Sequence, residues 1–347
     1  MRSQTTSLTM KLHRFLLPLT HPFTISRETI TEQPTLIVEL QQDGLSGYGE
    51  STTNEYYGHT LESISTSLEN VRYEVESQPL QQPEKMWEQL NETLQHDRFA
   101  QNALDQAAWD LWGKQQGQPL HQLWNLSAEQ SPSSSYSIGI DTIEKMVSKM
   151  NEFPDWSYYK IKLGTSNDLE ILRALRQETS ATFRVDANCG WSAEETIQNA
   201  KAMQELDVEF IEQPLPRDRW NEMKDVAKES LLPLIADESC CEEEDVSRCI
   251  DHFHGINIKL IKCGGLTPAR RMIKQARQAD LKLMAGCMLE SSVGISAPAQ
   301  LLPLLDYADL DGAILLKEDI ATGVTFKNGQ VCFPNINGTG VTLTAKD

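Results

Sequence analysis

The sequence predicts an α/β protein in which a (β/α) barrel follows a smaller α+β unit, and two observations carry that expectation. From about residue 134, short strand-like runs alternate with helical segments, and polar residues at the run ends recur at positions 162, 186, 212, 237 and 259. Intervals of 22 to 26 residues suit one βα unit of a barrel. Before that point strands come first and helices second, the order of a separate α+β layer. A doubly wound open sheet would show the same alternation. No Gly-x-Gly-x-x-Gly turn or phosphate-binding loop follows the first strand, which weighs against it.

Taken in order, residues 7–18 and 35–41 read as strands, with Asp43 and Gly44 at a turn position. Helical patterns start at Leu61, Pro83 and Phe99, the last Ala-rich and ending near Gly117. Its Ala103, Leu104, Ala107, Ala108 and Leu111 share one helical face, expected to be buried. The barrel strands read YSIGI, YYKIKL, FRVDAN, EFIEQP, LIADES, INIKL and LKLMAGCM, with an eighth at AILL or just before it. Residues 1–125 are expected to form the α+β capping domain, joined by a returning tail, 320–347. Residues 126–319 are expected to form the barrel.

Composition narrows the function classes. The chain has 347 residues, a hydrophobic content of 39% and a formal net charge of -19. That is enough apolar material for an ordinary core. The acidic balance would repel phosphate backbones and anionic lipids, so neither nucleic acid nor membrane is an expected partner. The seven cysteines show no Cys-x-x-Cys spacing, which suits reduced packing residues of a cytoplasmic protein better than a disulfide framework or zinc site. The apolar run from Phe15 to Leu19 is shorter than a signal-peptide core, and no export segment is expected.

In a barrel, functional groups gather at the C-terminal strand ends. Here those ends carry Lys160 and Lys162, then Asp186 and Asn188, then Glu212, then Asp237 and Glu238, then Lys259. Each alone has a plain structural reading, a helix cap or a solvated side chain. Five such positions in register make that reading weak. Asp186, Glu212 and Asp237 would converge as hard oxygen ligands suited to Mg²⁺. Lysines on the flanking strands would face each other across that site as acid and base. Lys160 lies two residues from Lys162, on the same strand face. Its charge would favour a neutral Lys162.

The strings YYKIKLG, VDANCGW, FIEQP, IADES and INIKLIKCGG, with ALDQAAWDLWGKQQGQPLHQLW, together resemble the muconate-cycloisomerase-like branch of the enolase superfamily. The resemblance covers nearly the whole chain. It implies a modified (β/α)7β TIM-type barrel with an α+β cap. Sites of that superfamily use a lysine or histidine base with one or two Mg²⁺ ions. By resemblance, Lys162 and Lys259 are the acid/base pair and Asp186, Glu212 and Asp237 hold Mg²⁺, with Asn188 and Glu238 behind them. Lys262 competes with Lys259; Lys259 is preferred as the residue within the strand. His252 and His254 precede this strand, which disfavours a mandelate-racemase-like arrangement.

MAGCMLESSVG and DLDGAILLKED are similar to dipeptide epimerases, in which an Asp-x-Asp pair binds the substrate ammonium. Here the pair is Asp309 and Asp311, although Asp311-Gly312 also suits a simple turn. The resemblance implies two-lysine 1,1-proton transfer through a metal-stabilised ene-diolate, inverting the C-terminal residue of a dipeptide. Lys160, Cys287, Met288 and Glu290 are expected near the substrate. Segments 20–27 and 51–60 are expected to close the site as loops, where Arg27 has two readings, a partner for an acidic substrate side chain or, more commonly for a lone arginine, a surface group. L-Ala-L/D-Glu and hydrophobic dipeptides both fit, and a homo-oligomer is compatible. An o-succinylbenzoate synthase or N-succinylamino-acid racemase would share the lysines and carboxylates but not the Asp309–Asp311 clamp. A non-catalytic barrel would lose ligands that this chain keeps.

Overall fold

The computed structural model describes residues 6–345. Three antiparallel strands come first: β1 (Thr9–Thr24), β2 (Thr29–Gln42) and β3 (Leu45–Thr52). β2 and β3 join at Gln42↔Leu45 through Asp43 (φ 51°) and Gly44 (φ 80°). Two left-handed residues in a two-residue loop match the twist of the flanking strands. β1 runs further than periodicity predicts. Its register with β2 shifts between Pro18 and Phe23, then resumes at Phe23↔Ile30 and Thr24↔Thr29. Pro18 and Pro22 have no amide hydrogen to donate, so the ladder bulges there and continues. The predicted loop 20–27 is therefore largely the tip of a hairpin, closed by Ile25 N donating to Glu28 O at 3.0 Å.

Helices α1 (Leu61–Glu76), α2 (Pro83–Leu94) and α3 (Arg98–Gln116) pack against this sheet. Thr60 and Ser63 cap α1 reciprocally, satisfying amides that a helix start leaves open. Asp97 caps α3 by accepting from Ala100 N at 2.9 Å, and Gly117 ends it in left-handed backbone. The predicted face of α3 is buried, and the reason is a close backbone approach. Ala103 and Ala107 lie over Gly47 and Gly49 of β3. A Cβ on Gly49 would collide with the Ala103 carbonyl oxygen and sit 2.6 Å from the Ala107 nitrogen.

Eight parallel strands follow in chain order: β4 (Tyr136–Ile138), β5 (Tyr158–Lys162), β6 (Thr182–Asp186), β7 (Val208–Glu212), β8 (Leu234–Ala236), β9 (Gly255–Ile258), β10 (Lys282–Gly286) and β11 (Tyr307–Asp309). A parallel bridge from Ser134 to Ala308 ties the last strand to the segment leading into the first. Helices connect consecutive strands, which makes a modified (β/α)7β barrel. The eighth strand lies just before AILL, while Gly312–Leu315 is a 3-10 turn.

Buried carboxylates on the first unit fasten it to the barrel. Asp105 of α3 accepts from Thr267 N at 2.9 Å and Thr267 Oγ1 at 2.7 Å. Asp110 accepts from Tyr48 N at 2.9 Å and from Thr339 N at 2.8 Å in the tail. Glu50 of β3 accepts from Ser291 N and from Gly294 N, where the helix Ser292–Ala299 begins. Anions at a helix start meet its unsatisfied amides. The tail contacts both parts: Val324 packs in the barrel core, Ala321 and Val341 against Ile37 of β2. The cysteines are free thiols, with Cys240, Cys249 and Cys263 in the core. Among the described residues no helix is long and apolar enough to cross a membrane.

The contact between β3 and α3 leaves no room for a methyl group. Gly49→Ala is expected to destabilise the fold by ~1–3 kcal/mol, the usual cost of overpacking, read as a lower midpoint in thermal or urea unfolding. An unchanged midpoint would mean that β3 and α3 separate without cost.

Candidate active site

Parallel register brings the predicted polar residues to one end of the barrel. Lys162 pairs with Asp186 across β5 and β6, and Asp186 with Glu212 across β6 and β7. Asp237 follows the last residue of β8, and Lys259 the last of β9 rather than lying within it. Carboxylate oxygens of Asp186, Glu212 and Asp237 lie within 4.8 Å of one another, and all three residues are buried.

Such a cluster repels itself unless cations enter it. Lys162 Nζ lies 2.6 Å from Asp186 Oδ2, and Lys259 Nζ 2.9 Å from Asp237 Oδ2. Burial pushes the Asp186 carboxyl up, but Lys162 and Lys160 outweigh it and hold it at about 2. Asp237 is likewise held well below the usual range by Lys259 and Lys262, against its burial. Glu212 goes the other way: burial, then the Asp186 charge, pushes it up to about 8. Burial lowers the proton affinity of Lys259, yet Asp237 more than restores it. The lysines answer this charge unevenly, holding Asp186 and Asp237 low while Glu212 is pushed up.

The donor set fits a hard divalent cation. All three converging groups offer oxygen, the preference of Mg²⁺. Buried oxygens without a hydrogen-bond donor collect around them: Asn188 Oδ1, Glu238 Oε2, Asn257 Oδ1 and Asp309 Oδ1. Orphaned buried acceptors are rare and point to an ion or to ordered water. Asn188 and Asn257 also orient the ligands. Asn188 donates from N to Asp186 Oδ1 at 2.9 Å, and Asn257 Nδ2 to Glu212 Oε1 at 2.8 Å.

Several sequence expectations are met in modified form. Lys160 does not line the cavity as a substrate contact. It is buried beneath, its ammonium 2.6 Å from Asp309 Oδ2, 2.7 Å from Glu212 Oε2 and 3.4 Å from Asp186 Oδ2. Burial opposes its charge, but these carboxylates raise its proton affinity well above the ordinary range. Inward residues two apart on a barrel strand lie in different layers, which separates Lys160 from Lys162. Lys262 is also immobilised, donating to Asp237 Oδ1 and O at 2.6 Å each and to Cys240 O at 3.0 Å. Glu290 stands behind the wall rather than in it, accepting from Met288 N at 3.0 Å. Burial, reinforced by Glu50, pushes its carboxyl up to about 8.

Lys162, Lys259, Asp237, Asn188, Glu238, Cys287, Met288, Asp309, Asp311 and Arg27 do line one cavity of about 780 Å³, part of it open to solvent. Asp311 accepts from Ser137 N at 2.6 Å, which fixes one carboxylate of the Asp-x-Asp pair against β4. Arg27 departs from expectation: its guanidinium already holds Glu238, with Nη1 and Nη2 each 3.0 Å from Oε1. The sequence reading missed Asn257 and Ser137, while Phe23 and Ile25 lie in the segment 20–27 expected to close the site. Parity offered a signal for Asn257, which stands two residues before Lys259 and so on the same strand face.

Comparison with known proteins agrees with this architecture. Residues 9–124 match the family described as mandelate racemase / muconate lactonizing enzyme, N-terminal domain, and residues 143–347 match the enolase C-terminal domain-like family. An L-Ala-D/L-amino acid epimerase of Flavobacterium johnsoniae is 54% identical over 332 residues, 96% of this chain and 98% of that protein. The protein of the same description from Maribacter sp. is 55% identical over 335 residues, 96% of this chain and 99% of its own length. A solved dipeptide epimerase from Methylococcus capsulatus, complexed with Mg and the dipeptide L-Arg-D-Lys, matches with a TM-score of 0.90 at 31% identity, covering 97% of this chain and 99% of that one. With relatives this similar over almost its whole length, the chain belongs to the enolase superfamily, in its mandelate racemase / muconate lactonizing enzyme group.

Proposed function

We propose that the chain is a Mg²⁺-dependent dipeptide epimerase that inverts the α-carbon of the C-terminal residue. The observation that carries this reading is the layout of charge around the mouth. Carboxylates for a cation sit on β6, β7 and β8, a lysine stands on each side of them, and an unpaired Asp309 oxygen faces them across the cavity. The relatives named as epimerases support it. An N-succinylamino-acid racemase reading would set a substrate carboxylate or amide against Asp309 and Asp311, where an ammonium is the better match. A cytoplasmic setting suits the free cysteines.

Asp186, Glu212 and Asp237 would hold the ion. When bound, Mg²⁺ supplies positive charge to the substrate carboxylate and so makes the neighbouring C–H more acidic. Asp309 and Asp311 take the dipeptide ammonium at the far end and fix which carbon stands between the lysines. β5 and β9 are four strands apart in a ring of eight, which supports proton transfer on opposite faces. One lysine, as the neutral amine, accepts the α-proton and becomes ammonium. The other, as ammonium, delivers a proton to the opposite face and becomes the amine. The stereocentre is inverted, and the reverse reaction exchanges the roles.

Incubation with Mg²⁺ and a pooled dipeptide library in D₂O is expected to give single-deuteron mass gain in a subset of dipeptides. No gain anywhere, with folded protein and Mg²⁺ present, would overturn the epimerase reading. In Lys162→Ala, α-exchange is expected to be lost from one diastereomer and kept in the other, with Lys259→Ala showing the opposite pattern. Exchange retained from both diastereomers in either variant would sink the two-base scheme. Lys262→Met is expected to act on the fold instead, lowering stability by ~1–3 kcal/mol because the buried Asp237 and Cys240 carbonyl oxygens lose their donor while Asp237 keeps Lys259. A Lys262→Met protein that melts like the parent but has lost exchange would move the acid/base role from Lys259 to Lys262.

A further inference from the structure

In the proposed site, three of the four substituents on the reacting carbon have destinations: the carboxylate at the triad, the amide toward Asp309 and Asp311, the hydrogen at a lysine. The side chain is left to face the cap. That wall is mostly apolar, with Phe23, Ile25 and Ile30 from the β1–β2 hairpin and Tyr57, Met288 and Leu289. The polar Gln33 and Asn54 also line it, Gln33 donating its amide to Pro34 O and Thr53 O and Asn54 Oδ1 accepting from Tyr57 N. Two charged side chains stand beside it, Arg27 and Glu28.

The positive charge of Arg27 is already matched by an anion. Both terminal nitrogens lie 3.0 Å from Glu238 Oε1, Nη1 also donates to Asn188 O at 3.2 Å, and the Tyr56 ring stacks 4.3 Å from Cζ. Glu238 is 3% exposed and follows Asp237 directly. Without Arg27 it would be one more buried anion beside the triad, with its second oxygen already lacking a donor. Glu28 has no side-chain ion pair among the described residues, so it adds negative charge to the wall. The surface offered to the substrate side chain is mainly apolar, with uncharged Gln33 and Asn54, and carries no positive charge that is not already paired.

Resting on the dipeptide-epimerase reading, we propose that the residue inverted by this chain carries an uncharged, mainly apolar side chain, and that Arg27 serves as the counter-ion of Glu238 instead of receiving an acidic side chain. An acidic side chain would have to share the single positive charge of Arg27 with Glu238, placing two carboxylates on one cation, or draw it away and leave Glu238 buried and unpaired beside Asp237. A methionine-sized side chain meets no such conflict.

L-Ala-L-Met, L-Ala-L-Gln and L-Ala-L-Glu have second residues of similar length and differ in polarity and charge. With the Mg²⁺-loaded full chain, kcat/KM for epimerisation is expected to fall in that order, with at least roughly a tenfold drop from Gln to Glu. L-Ala-L-Glu turned over as well as or better than L-Ala-L-Gln overturns the proposal while leaving the epimerase reading intact. Turnover of none of the three, nor of any other dipeptide, overturns both. In Arg27→Met, activity on all three is expected to fall by a similar factor, so that the Glu-to-Gln ratio stays fixed. A loss confined to L-Ala-L-Glu would make Arg27 the receptor for an acidic side chain and overturn the proposal.

Discussion

The rest of the site depends on the cost of holding three carboxylates within 4.8 Å of one another in a buried barrel mouth. Two like charges ~4 Å apart repel by about 4 kcal/mol even at an effective dielectric constant of 20. The chain answers with four lysines, and they divide into two kinds. Lys160 and Lys262 are fully engaged by several acceptors each, and form a fixed positive floor. Lys162 and Lys259 each touch a single carboxylate at the cavity edge. If a cation claims the three carboxylates, Lys160 keeps Asp309 and Lys262 keeps the Asp237 and Cys240 carbonyl oxygens, whereas Lys162 and Lys259 have no other ion-pair partner among the described residues.

Strand order turns this balance into geometry. In a ring of eight, β7 lies opposite β11 and β5 opposite β9. One diameter runs from Glu212 to Asp309 and the other from Lys162 to Lys259. In the proposed reading a zwitterion with a carboxylate at one end and an ammonium at the other would lie along the first diameter, and its α-carbon would meet lysines along the second. Lys160 supports the crossing from below, its one ammonium within 2.7 Å of both Glu212 and Asp309. The first unit closes the top, and α3 fastens it through Asp105 and Asp110. Each of those buried acids binds amide or hydroxyl donors from another part of the chain, so rigid attachment does not depend on apolar contact alone.

The legible parts of the sequence were those governed by a short period. Lys162, Asp186, Glu212, Asp237 and Lys259 could be aligned because each closes one βα unit. The buried face of α3 followed from the 3.6-residue repeat. What stayed hidden depends on contacts between distant segments or on depth. Parity put Lys160 and Lys162 on one face, but parity carries no information about the layer. Lys262 stands in the short helix after β9, where the period of two no longer applies. Segment 20–27 reads as a loop because strand pairing that resumes after a bulge leaves no local pattern. The pairing of Arg27 with Glu238 spans 211 residues, and nothing near Arg27 in the sequence announces it.

These hidden contacts tie substrate recognition to the chemistry below it. The hairpin tip carries the apolar wall, and it is anchored at the metal ligands' immediate neighbours. Ser26 Oγ and Arg27 Nη1 both donate to Asn188 O, and Arg27 holds Glu238. Asn188 hydrogen-bonds Asp186, while Glu238 follows Asp237. An ion that orders the ligands also orders the residues on which the tip rests, and a seated tip limits how far those residues can move. Because linkage is reciprocal, any preference of the closed tip for the metal-bound site is equally a preference of the metal for the closed tip. The barrel therefore fixes what reaction is possible. The cap wall, which under the proposed reading faces the substrate side chain, is held by contacts that end on the same strand ends.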